Sequence, residues 1–254
     1  MGLSPVDRRA LDDSGVGQRA HGGPKSYHHR MISQGHVQCQ SAFGGYSPVS
    51  NEGRVEMTLG VDTIRRRLVE VGYQLCSHPA VVGRLQTVLG ENLLLWASTL
   101  FNKRPGGDGI PWHQDTAYFD VEPPVTVTAW IALTEATVDN GCLQMIPGTH
   151  REHVPHIESE SNSHFDLVAE PEYVPEKRAL DIELSPGEAV LFNERVLHRS
   201  HPNTASSPRL GLSARVTVPF ARINTDDPKI LMTGTDEFGL NQLTEPPADS
   251  GSLD

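Results

Sequence analysis

Cysteine is nearly missing from this chain of 254 residues: Cys39, Cys76 and Cys142 make an odd number with no Cys-x-x-Cys spacing. A disulfide framework or a zinc knuckle is therefore excluded as the organising principle, and reduced thiols in a cytoplasmic protein are expected. Positive charge is short as well. The 21 basic residues, of which only Lys25, Lys103, Lys177 and Lys229 are lysines, stand against 32 acidic ones for a net charge of −11. That balance argues against a nucleic-acid-binding surface, which needs a basic stripe. It leaves an anionic small-molecule substrate open, because pocket charge and overall charge are separate quantities. No apolar run could span a membrane, and the first residues are charged and Gly-rich where a signal peptide needs a hydrophobic stretch. A soluble monomer or homodimer with no membrane partner is expected. Internal repeats, a Gly-rich phosphate loop and a Gly-x-Ser-x-Gly elbow are also lacking, which removes the commonest hydrolase design.

What the chain has instead is a rhythm of short strands. Residues 93–101, 125–133, 143–146, 178–184, 189–193 and 210–219 are brief and apolar, with turn signals such as Asp-Asn-Gly at 139–141 and Ser-Pro-Gly at 185–187 between them. Ahead of them, Ile64, Leu68, Val71 and Leu75 fall on one helical stripe, and a second helix over 80–89 stops at Gly90. The pattern predicts a mainly β fold with flanking helices. A double-stranded β-helix (jelly roll, cupin-like) is the version that places ligands on facing strands around a cavity. A single domain over 56–240 follows, with helices in 61–89, a lid-like polar loop at 151–176, a poorly patterned and partly disordered arm at 1–55, and a flexible tail at 241–254.

The chemistry begins at PWHQDTAYFD, residues 111–120, which sets His113 and Asp115 two residues apart. On a β-strand the side chains at i and i+2 share a face, so the pair can grip one metal ion. A third ligand must come from another strand. LHRSHPN supplies His198, with His201 as its competitor three residues on. Two imidazoles and a carboxylate suit ferrous iron, and by capping one face of it they leave positions for a co-substrate and dioxygen. In a chain with 12 histidines a His-x-Asp triplet alone is ordinary. Arg209 changes its meaning, because eleven residues after His198 a strand-turn-strand path brings its guanidinium back beside the metal. Arginine holds a carboxylate in a planar, two-pronged grip. A co-substrate with one end for the metal and a carboxylate for the arginine is implied, and 2-oxoglutarate has that form.

PWHQDTAYFD, TVTAWIALTEATVDNGCLQMIPGTH (126–150) and LSPGEAVLFNERVLHRSHPNTASSPRLGLSARV (184–216) together resemble the core of the phytanoyl-CoA dioxygenase family of Fe(II)/2-oxoglutarate oxygenases. The resemblance implies His113, Asp115 and His198 as iron ligands, Arg209 and Ser200 as the grip on the distal carboxylate of 2-oxoglutarate, and Trp130 as a wall of the co-substrate pocket. Read on its own, Trp130 is equally an ordinary core aromatic. The implied reaction consumes dioxygen, splits 2-oxoglutarate into succinate and CO2, and hydroxylates an unactivated C–H bond. Related iron halogenases carry a small residue where the carboxylate ligand belongs. Asp115 fills that position here, which favours hydroxylation over halogenation.

Residues expected to face the substrate are Asn102 and Arg104 before the motif, Gln114 and Tyr118 within it, and the 151–176 loop. His153, His156 and His164 in that loop fit no compact metal motif. The bias towards arginine among the basic residues points to a GC-rich bacterial genome, and with it to biosynthetic tailoring of a small polar or amino-acid-like metabolite. An acyl-CoA hydroxylase is the alternative within the family. A non-catalytic jelly-roll binding protein and a zinc hydrolase are alternatives outside it, and neither needs Arg209.

Overall fold

The structure, a computed structural model, describes the backbone at 38–39 and residues 61–159 and 166–247. In chain order its elements are β1 (Gln38–Cys39), α1 (Val61–Cys76), α2 (Pro79–Leu89), β2 (Leu93–Lys103), β3 (Ile110–His113), β4 (Val121–Glu122), β5 (Val127–Ala132), β6 (Leu143–Met145), β7 (His156–Glu158), β8 (Leu167–Ala169), β9 (Leu180–Ile182), β10 (Ala189–Asn193), β11 (His198–Ser200), β12 (Arg209–Thr217), β13 (Arg222–Ile223) and β14 (Ile230–Thr233). Two sheets dominate. The larger runs β1-β2-β12-β5-β10 with β14 also on β2, and the smaller runs β3-β11-β6-β9. All pairings are antiparallel except that of β1 with β2, where Gln38 lies against Thr99 and Cys39 against Leu100. Two sheets facing across a cavity are the jelly roll expected from the strand rhythm.

The alternation along β12, RLGLSARVT, decides which side of the larger sheet is dry. Leu212, Ala214 and Val216 point one way. There they join Val127, Ala129 and Ile131 of β5 and Leu93 and Leu95 of β2 in a core closed by Cys76 of α1 and Leu85 of α2. Arg209, Gly211, Ser213 and Arg215 have the opposite parity and face the smaller sheet. Each large side chain fully buried on the helix side contributes about 1.5–3 kcal/mol.

Both helices form where expected, but of the expected α1 stripe Leu75 packs against the core, Leu68 and Val71 do not, and the side chain of Ile64 lies outside the described residues. Leu68 and Val71 are exposed, at 40% and 43%. Val69, Gly72, Tyr73 and Cys76, spaced i, i+3, i+4 and i+7, are the buried or half-buried line, and Tyr73 and Cys76 pack into the core. Gly72 is small enough for the helix to lie close, so this line outcompetes the bulkier one. In α2, Pro79 opens the helix, His78 accepts from the Ala80 amide at 3.2 Å, and Gly90, at a φ of 88° that side chains resist, closes it.

Two other expectations are corrected. The 151–176 stretch is not an irregular loop throughout, since β7 and β8 pair within it, while 160–165 lie outside the described residues. The expected tail at 241–254 is anchored at its start. Asn241 accepts from the Ile223 amide at 2.9 Å and donates to the Ala221 carbonyl at 2.8 Å, and Lys229 exchanges backbone bonds with Gln242 and Thr244. Asn241 offers both a donor and an acceptor, so it closes the turn after β12 from outside. Among the described residues no helix is long and apolar enough to cross a membrane.

Leu212, 2% exposed at the centre of the helix-side core, sets a test of this packing. Leu212→Ala is expected to cost about 2–5 kcal/mol of stability in urea denaturation. A loss below ~1 kcal/mol would mean that this face is not the core.

Candidate metal centre

β3 ends at His113, and the chain turns at once into a short 3-10 turn, Asp115–Ala117. Asp115 is therefore not on the strand with His113, as the i, i+2 spacing suggests. The turn nevertheless swings its carboxylate back over the strand end, and Oδ1 lies 3.7 Å from His113 Nε2. His198 heads β11 directly opposite His113 in the antiparallel register. Its Nε2 is 3.8 Å from the same Oδ1. All three side chains are buried, and their ligand atoms lie within 4.8 Å of one another.

Hydrogen bonds fix how the rings present themselves. His113 Nδ1 lies 2.9 Å from the Pro111 carbonyl and His198 Nδ1 lies 2.9 Å from the Val196 carbonyl. A carbonyl can only accept, so each Nδ1 carries the proton and each Nε2 turns a lone pair towards Asp115. Burial, with His198 as the next cause, holds His113 well below the ordinary histidine range and so keeps it neutral. Thr128 donates to Asp115 Oδ2 at 3.4 Å. The converging Nε2 atoms of two imidazoles and one carboxylate form a donor set that fits a divalent cation.

The triad sits in a cavity of about 50 Å³ walled by Phe101, Ile110, Leu143 and Phe192 with Trp130, Ser213, Arg209 and Arg215. Arg209 is 2% exposed. Its Nη2 donates to the Gly141 carbonyl at 2.8 Å, its Cζ lies 5.0 Å from the centroid of the Trp130 ring, and its Nε has no partner. Burial lowers its pKa to about 10. A buried guanidinium with an orphaned donor, paired with no carboxylate among the described residues, fits the end of an anionic ligand. Ser200 is buried on β11, two residues past His198. Trp130 can lie flat here only because Gly211 has no side chain, since a Cβ there would come 2.1 Å from its Cζ2.

The residues expected to face the substrate fare differently. Asn102 and Arg104 are exposed, because strand parity sends Phe101 and Lys103 inward instead. Gln114 is fully buried but points away from the cavity. Its amide donates to the Glu152 and Arg195 carbonyls at 2.9 and 2.6 Å and accepts from Val154 at 2.8 Å. Tyr118 is edge-on to His113 at 5.9 Å, and its hydroxyl is taken up by the backbone of Leu167. Both thus fasten the 151–176 segment beside the triad. His156 is tied as well, accepting from the Gln114 amide at 3.0 Å and donating to the Val154 carbonyl at 2.8 Å. His164 lies outside the described residues. His201 loses its competition with His198, because its Nε2 is 2.7 Å from Asp181 on the neighbouring edge of the smaller sheet.

Three inward residues escape a reading of the motif alone. Lys103 shares the parity of Phe101. Arg215 shares that of Arg209 and donates to Thr99 Oγ1 at 2.9 Å; burial lowers its pKa, partly opposed by the Asp115 carboxylate. Glu194 is fully buried near Asp115, and burial pushes its carboxyl up to about 7, so it adds less than a full negative charge at neutral pH. Counting parity outwards from Arg209 along its strand would have found Arg215.

A jelly roll holding a buried triad of two histidines and a carboxylate, with a cation at the end of the same cavity, defines a non-haem metal oxygenase type of site. The family model described as Phytanoyl-CoA dioxygenase (PhyH) matches residues 50–211, and the chain belongs to that family. It is similar to Phytanoyl-CoA dioxygenase 1 of Oryza sativa subsp. japonica, with 35% identity over 143 residues, covering 50% of each chain. It is also similar to Dioxygenase lolE1 of Epichloe uncinata, with 31% identity over 135 residues, covering 53% of this chain and 50% of that one. The chain spans about half the length of the curated relatives it matches. Among solved structures, "CytC3 with Fe(II) and alpha-ketoglutarate" superposes with a TM-score of 0.50 at 29% identity, covering 66% of this chain and 67% of that one.

The notch at Gly211 is open to test. A methyl group there is expected to push the Trp130 indole off Arg209 and cost about 1–3 kcal/mol. For Gly211→Ala, tryptophan fluorescence should shift and the melting temperature fall. Unchanged values of both would refute the packing.

Proposed function

We propose that this chain is an Fe(II)- and 2-oxoglutarate-dependent dioxygenase that hydroxylates an unactivated C–H bond of a small metabolite. The observation that carries it is the pairing, in one cavity, of the His113–Asp115–His198 donor set with a buried Arg209 whose Nε has no partner among the described residues. The relatives named as dioxygenases and the neighbour solved with Fe(II) and alpha-ketoglutarate support the same reading. In this reading the three ligands hold iron, Arg209 and Ser200 hold the distal carboxylate, and Trp130 walls the co-substrate pocket.

When bound, iron supplies the activation of dioxygen, and the balance is R–H, O2 and 2-oxoglutarate giving R–OH, succinate and CO2. The protein's share is orientation and exclusion of water. Nδ1 hydrogen bonds lock both imidazoles as Nε2 ligands, and Thr128 restrains the free oxygen of Asp115. Arg209 and Ser200 set the direction from which the co-substrate approaches. Gln114 and Tyr118 fasten the backbone of Glu152 and Leu167 beside the site. The cavity's walls of Phe101, Ile110, Leu143 and Phe192 support a substrate with an apolar C–H to offer.

Anaerobic addition of Fe(II) and 2-oxoglutarate should produce the weak visible charge-transfer band of the chelate, and air should then yield succinate. Absence of both would sink the assignment. Arg209→Ala is expected to raise the 2-oxoglutarate concentration needed for half-saturation by roughly tenfold or more; an unchanged saturation curve would remove it from the pocket. Asp115→Ala should abolish hydroxylation, and a fully active variant would remove Asp115 from the ligand set.

A further inference from the structure

Lys103 extends inward from the end of β2, beside Arg209. Its Nζ donates to Ser200 Oγ at 2.7 Å and also to the His201 carbonyl. Room for its stem exists because residue 141 is glycine; a Cβ there would come 2.6 Å from Lys103 Cδ. Among the described residues no carboxylate forms an ion pair with it. The groups that face it are Arg209 from β12, Cys142 at the start of β6, Asp108 from the turn after β2, and Ser200 and His201 at the end of β11. His201 directs its ring to Asp181.

The donor arithmetic gives this arrangement a direction. A neutral amine has two N–H donors, and Ser200 and His201 use both; an ammonium has a third, for which the described residues show no acceptor. Ser200 Oγ accepts from Lys103, so its own proton is free to donate into the pocket. We propose that Lys103 is a positioning residue for the co-substrate, turning the Ser200 hydroxyl into a donor and supplying a second positive charge beside Arg209 as a dicarboxylate binds. This rests on the functional reading above.

Proton uptake follows as a consequence. In the empty pocket burial, and then Arg209, lowers Lys103 to about 7. A carboxylate beside it favours the charged form and raises that value again. Above about pH 7 each binding event therefore transfers one proton from buffer to the Nζ lone pair. Below it, the ammonium is already formed. Both carboxylates of 2-oxoglutarate are ionised throughout this range, and the Cys142 thiol, raised to about 11 by burial, stays protonated.

The test is calorimetric titration of 2-oxoglutarate into the Fe(II)-loaded full chain without oxygen, in buffers of different ionisation enthalpy. The expected uptake is near zero at about pH 6 and close to one proton at about pH 8.5, with the dissociation constant rising up to tenfold per pH unit between. In Lys103→Met the uptake should vanish and binding at about pH 6 should weaken by roughly tenfold or more, whereas His201→Asn should retain the uptake. Wild-type binding with no uptake at either pH overturns the inference, and so does uptake that persists in Lys103→Met. Failure of the wild type to bind 2-oxoglutarate at all overturns the functional reading instead. The wild-type uptake needs no variant, so a poorly folding Lys103→Met would not spare the proposal.

Discussion

The larger sheet must satisfy two opposite environments with the same strands, and the rest of the structure depends on how it does so. On β12 and β5 alternate residues are aliphatic against α1 and α2, or polar and charged against the cavity. Burying Arg209, Arg215 and Lys103 costs free energy that isolated strands could not sustain. The dry core on the reverse face offsets that cost through backbone shared with the polar face. Removing apolar contacts under the helices would therefore loosen the charged cavity as well, because no independent scaffold holds it.

The strand rhythm, the second helix and the link between His113, Asp115, His198 and Arg209 were legible in the sequence. They rest on short-range patterns: period-two apolar residues, a proline start with a glycine stop, and ligand spacing. Parity near a strand end was not legible. FNKR offers no apolar alternation after Phe101 to say whether Asn102 and Arg104 or Lys103 face inward, and only the pairing of Asn102 with Leu210 on β12 decides it. Asp115 shows the same limit. Its spacing from His113 suited a strand, but the chain reaches the same meeting of side chains through a turn.

Gln114 was misread for a related reason. It stands between two candidate ligands in the sequence, yet its neighbours point into the cavity and it points out. Its buried amide satisfies backbone groups of Glu152, Val154 and Arg195, and only the fold could place them beside it. Residues flanking the triad are thus bonded to the backbone at Glu152, Val154 and Leu167, so displacement of those residues would pull on the backbone that carries His113 and Asp115.

β11 has a further consequence. His198 and Ser200 leave the same face of one strand two residues apart, a spacing of about 6.8 Å that the backbone itself sets. If one marks the metal end of the co-substrate and the other its far carboxylate, the strand is a gauge of chain length. A four-carbon keto diacid would fall short of one contact and a six-carbon one would buckle against the Trp130 wall, so discrimination among metabolic diacids would reside in main-chain pitch.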